Sequence, residues 1–382
     1  MKVRRKLLTM GHSYVVGVNR RLADELAIAG ASTWDVTVVA PTYFHGSNDL
    51  RPVHLEPRRA EPIDLVGVPA YFTRVVHGFV YGRELASLLG RDWSLVHCWE
   101  EPYILAGGQV AWWTPKRSRL VFRTAQNLNK KYPPPFSWIE RYAIGKAAGW
   151  ICCGNTVANI LKQRAGYSML PMAQIPLGVD VEACRPDRAL GDSTLENLGW
   201  DRVGAPVVGY LGRLSPEKGI DFLMATLDSI DAPWRALFVG AGVLEGKLHS
   251  WASRHGDRVR VCSDVKHDEV PQYLSAMDVM CAPSQTMPNW REQFGRMLIE
   301  AFAAGVPVIA SDSGEIPFIV RGVGVVVGEK DTAGWRTALA DVLESPGRRA
   351  EMSARGIEAA AERYAWPIVA RQYLEFFERL AT

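Results

Sequence analysis

Four stretches in the second half of the chain place glycines and charged residues directly after short apolar runs, where a parallel strand would end. In VVGYLGRLSPEKG, Gly212 and Arg213 close one run, and Lys218 follows five residues later beside Gly219. A diphosphate needs concentrated positive charge and close backbone approach, which Arg, Lys and small residues supply; a solvated loop would look the same. FVGAG runs into Gly240 and Gly242, reading either as a tight turn or as backbone approach to a ligand. The third stretch, PSQTMPNWREQFGRMLIEAFAAGVPVIAS, spans residues 283–311. Gly295 sits where its loop becomes a helix over 296–304, and a helix N-terminus offers unpaired N–H groups to phosphate or sugar oxygens. On one continuous helix Glu292 and Glu300 would stand about 80° apart. Because Phe294 and Gly295 interrupt the helical pattern, Glu292 is expected in the loop and Glu300 on the first turns. Glu300 lies between Ile299 and Ala301, and a carboxylate among apolar neighbours is costly unless hydroxyls such as a ribose pair donate to it. The fourth stretch, SDSGEIPFIV at 311–320, is a polar glycine loop that a β-α-β crossover brings beside the third.

The elements that position these residues read as two series of strands and helices. In the first half, strands are expected at 6–10, 36–40, 95–98, 120–124 and 149–153, with helices at 15–29 and 82–89. The second half repeats the pattern with runs at 207–213, 236–242, 258–262, 279–284, 307–311 and 324–327. Continuous apolar runs suit a parallel sheet covered on both faces, and the strand-helix-strand order implies right-handed crossovers and a doubly wound sheet. The texture becomes polar and glycine-bearing around 176–204. The expected division is therefore a first domain at 1–180, a linker at 181–204, a second domain at 205–365 and a helix at 366–382 that crosses back to the first domain. Two such sheets leave a ligand cleft at their strand ends.

Composition narrows the function classes. With 382 residues, 48% hydrophobic and 22% charged, the chain is an ordinary globular protein long enough for two cores. A net charge of +3 argues against a dedicated nucleic-acid binder. Six cysteines at 98, 152, 153, 184, 262 and 281 form no C-x-x-C pair; this suits a reducing compartment and offers no metal frame. The basic opening MKVRRKLLTM gives way to polar GHSY before any sustained apolar core, and no run of roughly 18 apolar residues exists. The expectation is a soluble, cytoplasmic protein. KKYPPPFSWIER at 130–141 interleaves basic and aromatic residues around three prolines; it reads as a rigid packed loop or as a contact with the inner face of a membrane or a lipid-linked acceptor.

Together these motifs resemble glycosyltransferase family 4, the group 1 transferases of the GT-B superfamily. EQFGRMLIEAFAAGVPVIASDSGEIPFIV is similar to that family's E-x7-E segment, GYLGRLSPEKGID to its phosphate loop, RVRVCSDVKHDEVPQYLSAMDVMCAPS to its nucleobase-side region, and IPLGVDVEACRP to the segment leaving the first domain. The resemblance covers most of 175–330 in order and implies an α/β GT-B fold of two Rossmann-like domains. It implies a retaining transferase that moves a sugar from a nucleotide-diphosphate sugar to an acceptor saccharide, lipid-linked or small-molecule hydroxyl. Arg213 and Lys218 would neutralise the diphosphate, Glu300 would hold the ribose hydroxyls, and Glu292 would bind the donor sugar. Phe294 and Gly295 would contact sugar or phosphate through backbone N–H groups, beside Gly212 and Gly240, with Val265 near the base. Such members act without a metal or other cofactor, and no Asp-x-Asp motif is present. Alternatives from neighbouring classes are a GT-B epimerase or phosphorylase and a non-catalytic bilobal sugar-nucleotide binder.

The first half departs from the family pattern. Where a His commonly meets the donor sugar, Gln126 and Asn127 follow LVFRTA, and Gln can position a ligand but cannot carry a proton. The loop MGHSYVVGVNRR keeps Gly11 and Gly17 without a glycine pair. His12, Glu100 and Glu101, the last two in HCWEEP, are acceptor-side candidates or plain loop and surface residues.

Overall fold

The computed structural model describes residues 4–46, 52–58 and 62–381; residues 1–3 of the basic opening lie outside them. The chain forms two compact units, Met1–Pro176 with Trp366–Thr382, and Leu177–Ala365.

The first unit is built on seven parallel strands: β1 (Arg5–Met10), β2 (Trp34–Pro41), β3 (Asp64–Val68), β4 (Leu95–Cys98), β5 (Arg119–Thr124), β6 (Gly149–Cys152) and β7 (Met172–Gln174). They lie in the order β7-β6-β5-β4-β1-β2-β3. The register sets Leu7 opposite Val36 on one side and Leu95 on the other, so the central strands are apolar on both faces. The second unit carries β8 (Val207–Leu211), β9 (Arg235–Val239), β10 (Val259–Cys262), β11 (Val279–Ala282), β12 (Val308–Ser311) and β13 (Val325–Val327). Their order is β10-β9-β8-β11-β12-β13. Both sheets thus run third, second, first, fourth, fifth, sixth, the doubly wound Rossmann order. It reverses between β1 and β4 and between β8 and β11, and a crevice opens at the carboxyl ends where the reversal occurs.

The helices that flank the functional loops or complete the cores include α1 (Arg21–Ala29), α2 (Leu105–Trp113), α3 (Phe136–Lys146), α4 (Arg188–Asn197), α5 (Val270–Ser275), α6 (Arg296–Ala303) and α7 (Trp366–Ala381). Helix α7 buries Val369, Ala370, Tyr373, Phe376 and Phe377 at the spacing of one helical face. That face joins Leu22, Leu26 and Trp34 in the core of the first unit. Trp234, Trp251 and Trp335 anchor the core of the second.

Two expectations are corrected by the backbone. The helix expected over 15–29 begins only at Arg21; two short 3-10 turns, His12–Val15 and Gly17–Arg20, precede it. Val16 between them is extended, and the buried Arg20 guanidinium donates to the Tyr14 carbonyl 2.9 Å away, which fixes the turns off the helical path. The segment 181–204 is not a separate linker but part of the second unit. It contains α4, capped by the Asp187 side chain accepting from Leu190 N at 2.9 Å. Helix α4 packs so closely on the end of α5 that a Cβ on Gly191 would lie 2.1 Å from the Ser275 carbonyl oxygen. The polar letters of this stretch are the helix's outward face, while Thr194 and Leu195 are buried. Among the described residues no helix is long and apolar enough to cross a membrane.

Candidate active site

In the second unit the loops that follow β8, β9, β11 and β12 interlock through close backbone contacts. Gly240 has φ 138°, and a Cβ there would stand 1.9 Å from the carbonyl oxygen of Gly212. Gly219 has φ 74°, and a Cβ would come within 1.9 Å of the Pro283 carbonyl oxygen. Only glycine fits at either point, by conformation and by space. The turn 216–218 is tied to the β11 end by Gln285 N donating to the Glu217 carbonyl at 2.8 Å.

This framework brings Lys218 and Glu292 together. Lys218 Nζ lies 2.6 Å from Glu292 Oε2, and both side chains are nearly buried. Ser284 Oγ donates to the same oxygen at 3.1 Å, and the Trp290 ring lies 5.0 Å from the ammonium. Phosphate and carboxylate are alike in charge and in hydrogen-bond acceptance, so an ammonium held in this way is oriented for an anion. Arg213 remains 64% exposed, with a 3.4 Å pairing to Glu217. The loop holding Glu292 rests on the fourth stretch: Glu315 N donates to the Glu292 carbonyl at 3.1 Å.

Gly295 is left-handed at the N-cap of α6, and no side chain caps that helix. Glu300 is on its second turn and 7% exposed. The nearest basic group is His267 Nε2, 3.8 Å away, beyond hydrogen-bond reach. Burial pushes the Glu300 carboxyl up to about 7 against a partial lowering by Arg296. Burial also lowers the His267 pKa, reinforced by Arg296, so the charge that partly offsets Glu300 is that of Arg296. Val265 is half-buried just past β10.

The first unit is organised differently. β1 ends in an extended Gly11, where a Cβ would lie 2.8 Å from Trp99 Cβ. The next residue, His12, reaches the fully buried Glu100: Nδ1 is 2.6 Å from Oε2, and the His12 backbone N–H donates to Oε1. Tyr81 donates its hydroxyl to Oε1 at 2.6 Å. The imidazole stacks on Phe44 at 4.7 Å and meets Phe79 edge-on. Burial pulls its pKa down, but the Glu100 charge and hydrogen bond outweigh it and the net direction is up.

Several expected ligand contacts are thereby spent inside the protein. Glu100 serves His12 and Tyr81. Glu101 accepts from the Thr124 hydroxyl and from Ala125 N at 2.7 Å, while burial raises its pKa against those bonds. Gln126 donates to the Tyr132 hydroxyl and accepts from Leu128 N at 2.9 Å, and Asn127 is buried beside it. Tyr132 stacks on Tyr103 with centroids 4.1 Å apart, and the Arg164 guanidinium lies 5.0 Å from its ring. The Pro-rich loop is therefore packed at Tyr132, whereas Trp138 beyond it is 68% exposed. Sequence reasoning missed Ser284, Trp290 and Tyr81. Ser284 follows β11 and was detectable by the same strand-end rule that picked out Gly212. Among the described residues no three His, Cys, Asp or Glu side chains gather as metal ligands.

Residues 205–345 match the family described as Glycosyl transferases group 1, and residues 15–183 match Glycosyltransferase Family 4. A D-inositol 3-phosphate glycosyltransferase of Xylanimonas cellulosilytica is 30% identical over 390 residues, 95% of this chain and 90% of the relative. The chain is a family 4 glycosyltransferase. A 2-deoxystreptamine glucosyltransferase of Streptomyces kanamyceticus is 27% identical over 303 residues, covering 78% of this chain and 68% of that protein. The Anabaena protein HepE, solved with UDP and glucose, superposes with a TM-score of 0.75 at 18% identity over 98% of this chain and 100% of its own. The fold of this glycosyltransferase is GT-B, and its donor is a sugar nucleotide.

Proposed function

We propose that this family 4 glycosyltransferase moves a sugar, with retention of anomeric configuration, from a nucleoside-diphosphate sugar to a hydroxyl of a cyclitol. The observation that carries the donor side is the buried Lys218–Glu292 pair, set among Gly212, Gly219 and Gly240 beside the uncapped start of α6. Lys218 meets the diphosphate, and the exposed Arg213 adds a second charge as the phosphate leaves. The backbone N–H groups around Phe294 and Gly295 receive phosphate or sugar oxygens. Glu300 accepts both ribose hydroxyls, and Val265 borders the base.

How Glu292 is held bears on the route to retention. A carboxylate bonded to Lys218 and Ser284 is a weak nucleophile, which favours a single-face route over a covalent glycosyl-enzyme. The bond between the anomeric carbon and the phosphate oxygen breaks. The acceptor oxygen then bonds to that carbon from the same face, and its proton passes to the leaving diphosphate. Lys218 and Arg213 offset the negative charge that develops, so the route uses no metal.

On the acceptor side, the relatives named for 2-deoxystreptamine and inositol 3-phosphate both take a six-membered ring bearing several hydroxyls. His12, fixed through Nδ1 by Glu100, presents its other ring nitrogen to one such hydroxyl. A panel of UDP-, GDP- and ADP-sugars with myo-inositol, inositol phosphate and aminocyclitols tests the proposal. The expected outcome is a cyclitol glycoside whose anomeric configuration, read by NMR, equals the donor's. An inverted product would overturn retention, and turnover confined to non-cyclitol acceptors would overturn the acceptor class.

A further inference from the structure

A second polar cavity opens at the other end of the first sheet. It lies where β5 and β6 begin, whereas His12 and Glu100 follow the ends of β1 and β4. Its volume is about 450 Å³, and Lys116, Arg119 and Lys146 line it with Thr114 and Ser118. No carboxylate is among the lining residues. Two helix C-termini converge here, those of α2 and α3. Each carries roughly half a negative charge, so three full cations leave the cavity positive by about two charges. Ser118 is 6% exposed, and its hydroxyl oxygen has no hydrogen-bond partner. A buried hydroxyl without a partner costs stability unless a ligand completes it. Three unpaired-sign cations and an unsatisfied hydroxyl are the donors a phosphate monoester or diester accepts from.

An aromatic row leads away from Lys146 at the edge of this cavity. Lys146 Nζ lies 5.7 Å from the Tyr142 ring, and Tyr142 touches Trp112 at 5.9 Å between centroids. Trp138 stands one turn before Tyr142 on α3. Trp112 is 71% and Trp138 68% exposed, an unusual state for the largest amphipathic side chain in water. Indole rings beside cations suit the headgroup layer of a bilayer, where the ring is sheltered and the N–H stays hydrated.

We propose that this cavity takes the phosphate of an anionic lipid, with Trp112 and Trp138 inserted at headgroup depth, so that this face of the first unit rests on an anionic membrane. The neighbouring exposed indoles favour a membrane over a free phosphate, because a soluble phosphate would leave both in water. The proposal is independent of the acceptor reading: a soluble cyclitol can be glycosylated by a membrane-docked enzyme.

The test is co-sedimentation of the full chain with phosphatidylcholine vesicles, pure or containing roughly a third phosphatidylglycerol, near physiological ionic strength. Binding is expected only with the anionic vesicles and should weaken as salt rises. Each charge removed should weaken it roughly fivefold, and Lys116→Gln/Arg119→Gln/Lys146→Gln on the order of a hundredfold. Trp112→Ser/Trp138→Ser should also release the protein from anionic vesicles. Ser118→Ala should lower binding a few fold without lowering thermal stability, an effect that a purely packing role would not produce. In every variant the shift in melting temperature caused by nucleoside diphosphate should persist, which reports an intact fold and donor site. Equal pelleting with neutral and anionic vesicles would overturn the proposal, as would undiminished pelleting of the triple variant. Protection of Lys116 and Lys146 from acetylation by inorganic phosphate, without vesicle binding, would make this a free-phosphate site and overturn the membrane assignment.

Discussion

The two units share one strand order and place polar loops at the same reversal of that order, yet they spend buried charge in opposite ways. In the second unit Glu300 is buried with His267 3.8 Å away and Arg296 only partly offsetting its charge, while Lys218 is held by a single carboxylate, Glu292. In the first, Glu100, Glu101 and Gln126 are saturated by neighbours. Of these, Glu100 holds one imidazole firmly, that of His12. Glu300, buried without a hydrogen-bonded partner, marks where a ligand completes the structure, whereas Glu101, already satisfied, acts as scaffold.

Breaking the charged pair of the second unit should have the largest effect. Lys218→Ala removes the diphosphate's cation and strands Glu292, so turnover should fall on the order of a thousandfold and stability by about 3–5 kcal/mol. Lys218→Met/Glu292→Gln separates the two consequences. Denaturant melts should show most of the stability regained, while steady-state assays show turnover still lost. Recovery of activity in the double variant would remove Lys218 from the donor site.

Glu300 sharpens the comparison through pH. Its carboxyl is raised to about 7 by burial, and the hydroxyls of a bound ribose favour the ionised form. Nucleotide affinity should therefore fall as pH drops below about 7, roughly tenfold per unit at the limit. Folding carries the opposite sign. A carboxyl raised in the folded state contributes stability that is full below its unfolded pKa, near the ordinary Glu value, and is lost as pH rises through about 7. Glu300→Gln should flatten both trends, seen by calorimetric titration and by melts between about pH 4.5 and 8.

The first unit should respond more mildly. His12→Ala is expected to raise the acceptor KM about tenfold while nucleotide affinity is unchanged, measured by varying each substrate in turn. Gln126→Ala should do least, costing about 1 kcal/mol of stability through its bonds to Tyr132 and Leu128, with donor affinity intact.

How far the sequence exposed this contrast depended on whether a residue's role was local. The strands of the second unit begin and end within a few residues of their expected places, because continuous apolar runs bounded by glycines are a local signal. The expected loop position of Glu292 and helical position of Glu300 also hold, since Gly295 takes a left-handed conformation between them. What was not legible came from contacts across the sheet. Nothing near Lys218 in the chain announces a bond to a residue 74 positions away. Likewise Glu100 and Glu101 read as available carboxylates until Tyr81, His12 and Thr124 are placed around them. The short strand β7 was overlooked because none of its three residues is buried, and β3 because it is an edge strand in which only Val68 is buried.

The claim on which the rest depends is that the second unit holds a nucleoside diphosphate through Lys218 and Glu300. Titration calorimetry of UDP, GDP and ADP into the wild type at about pH 7.5 should find at least one that binds. For that nucleotide, Glu300→Gln should weaken binding roughly tenfold and Lys218→Ala further still. Unchanged affinity in both variants would contradict the account.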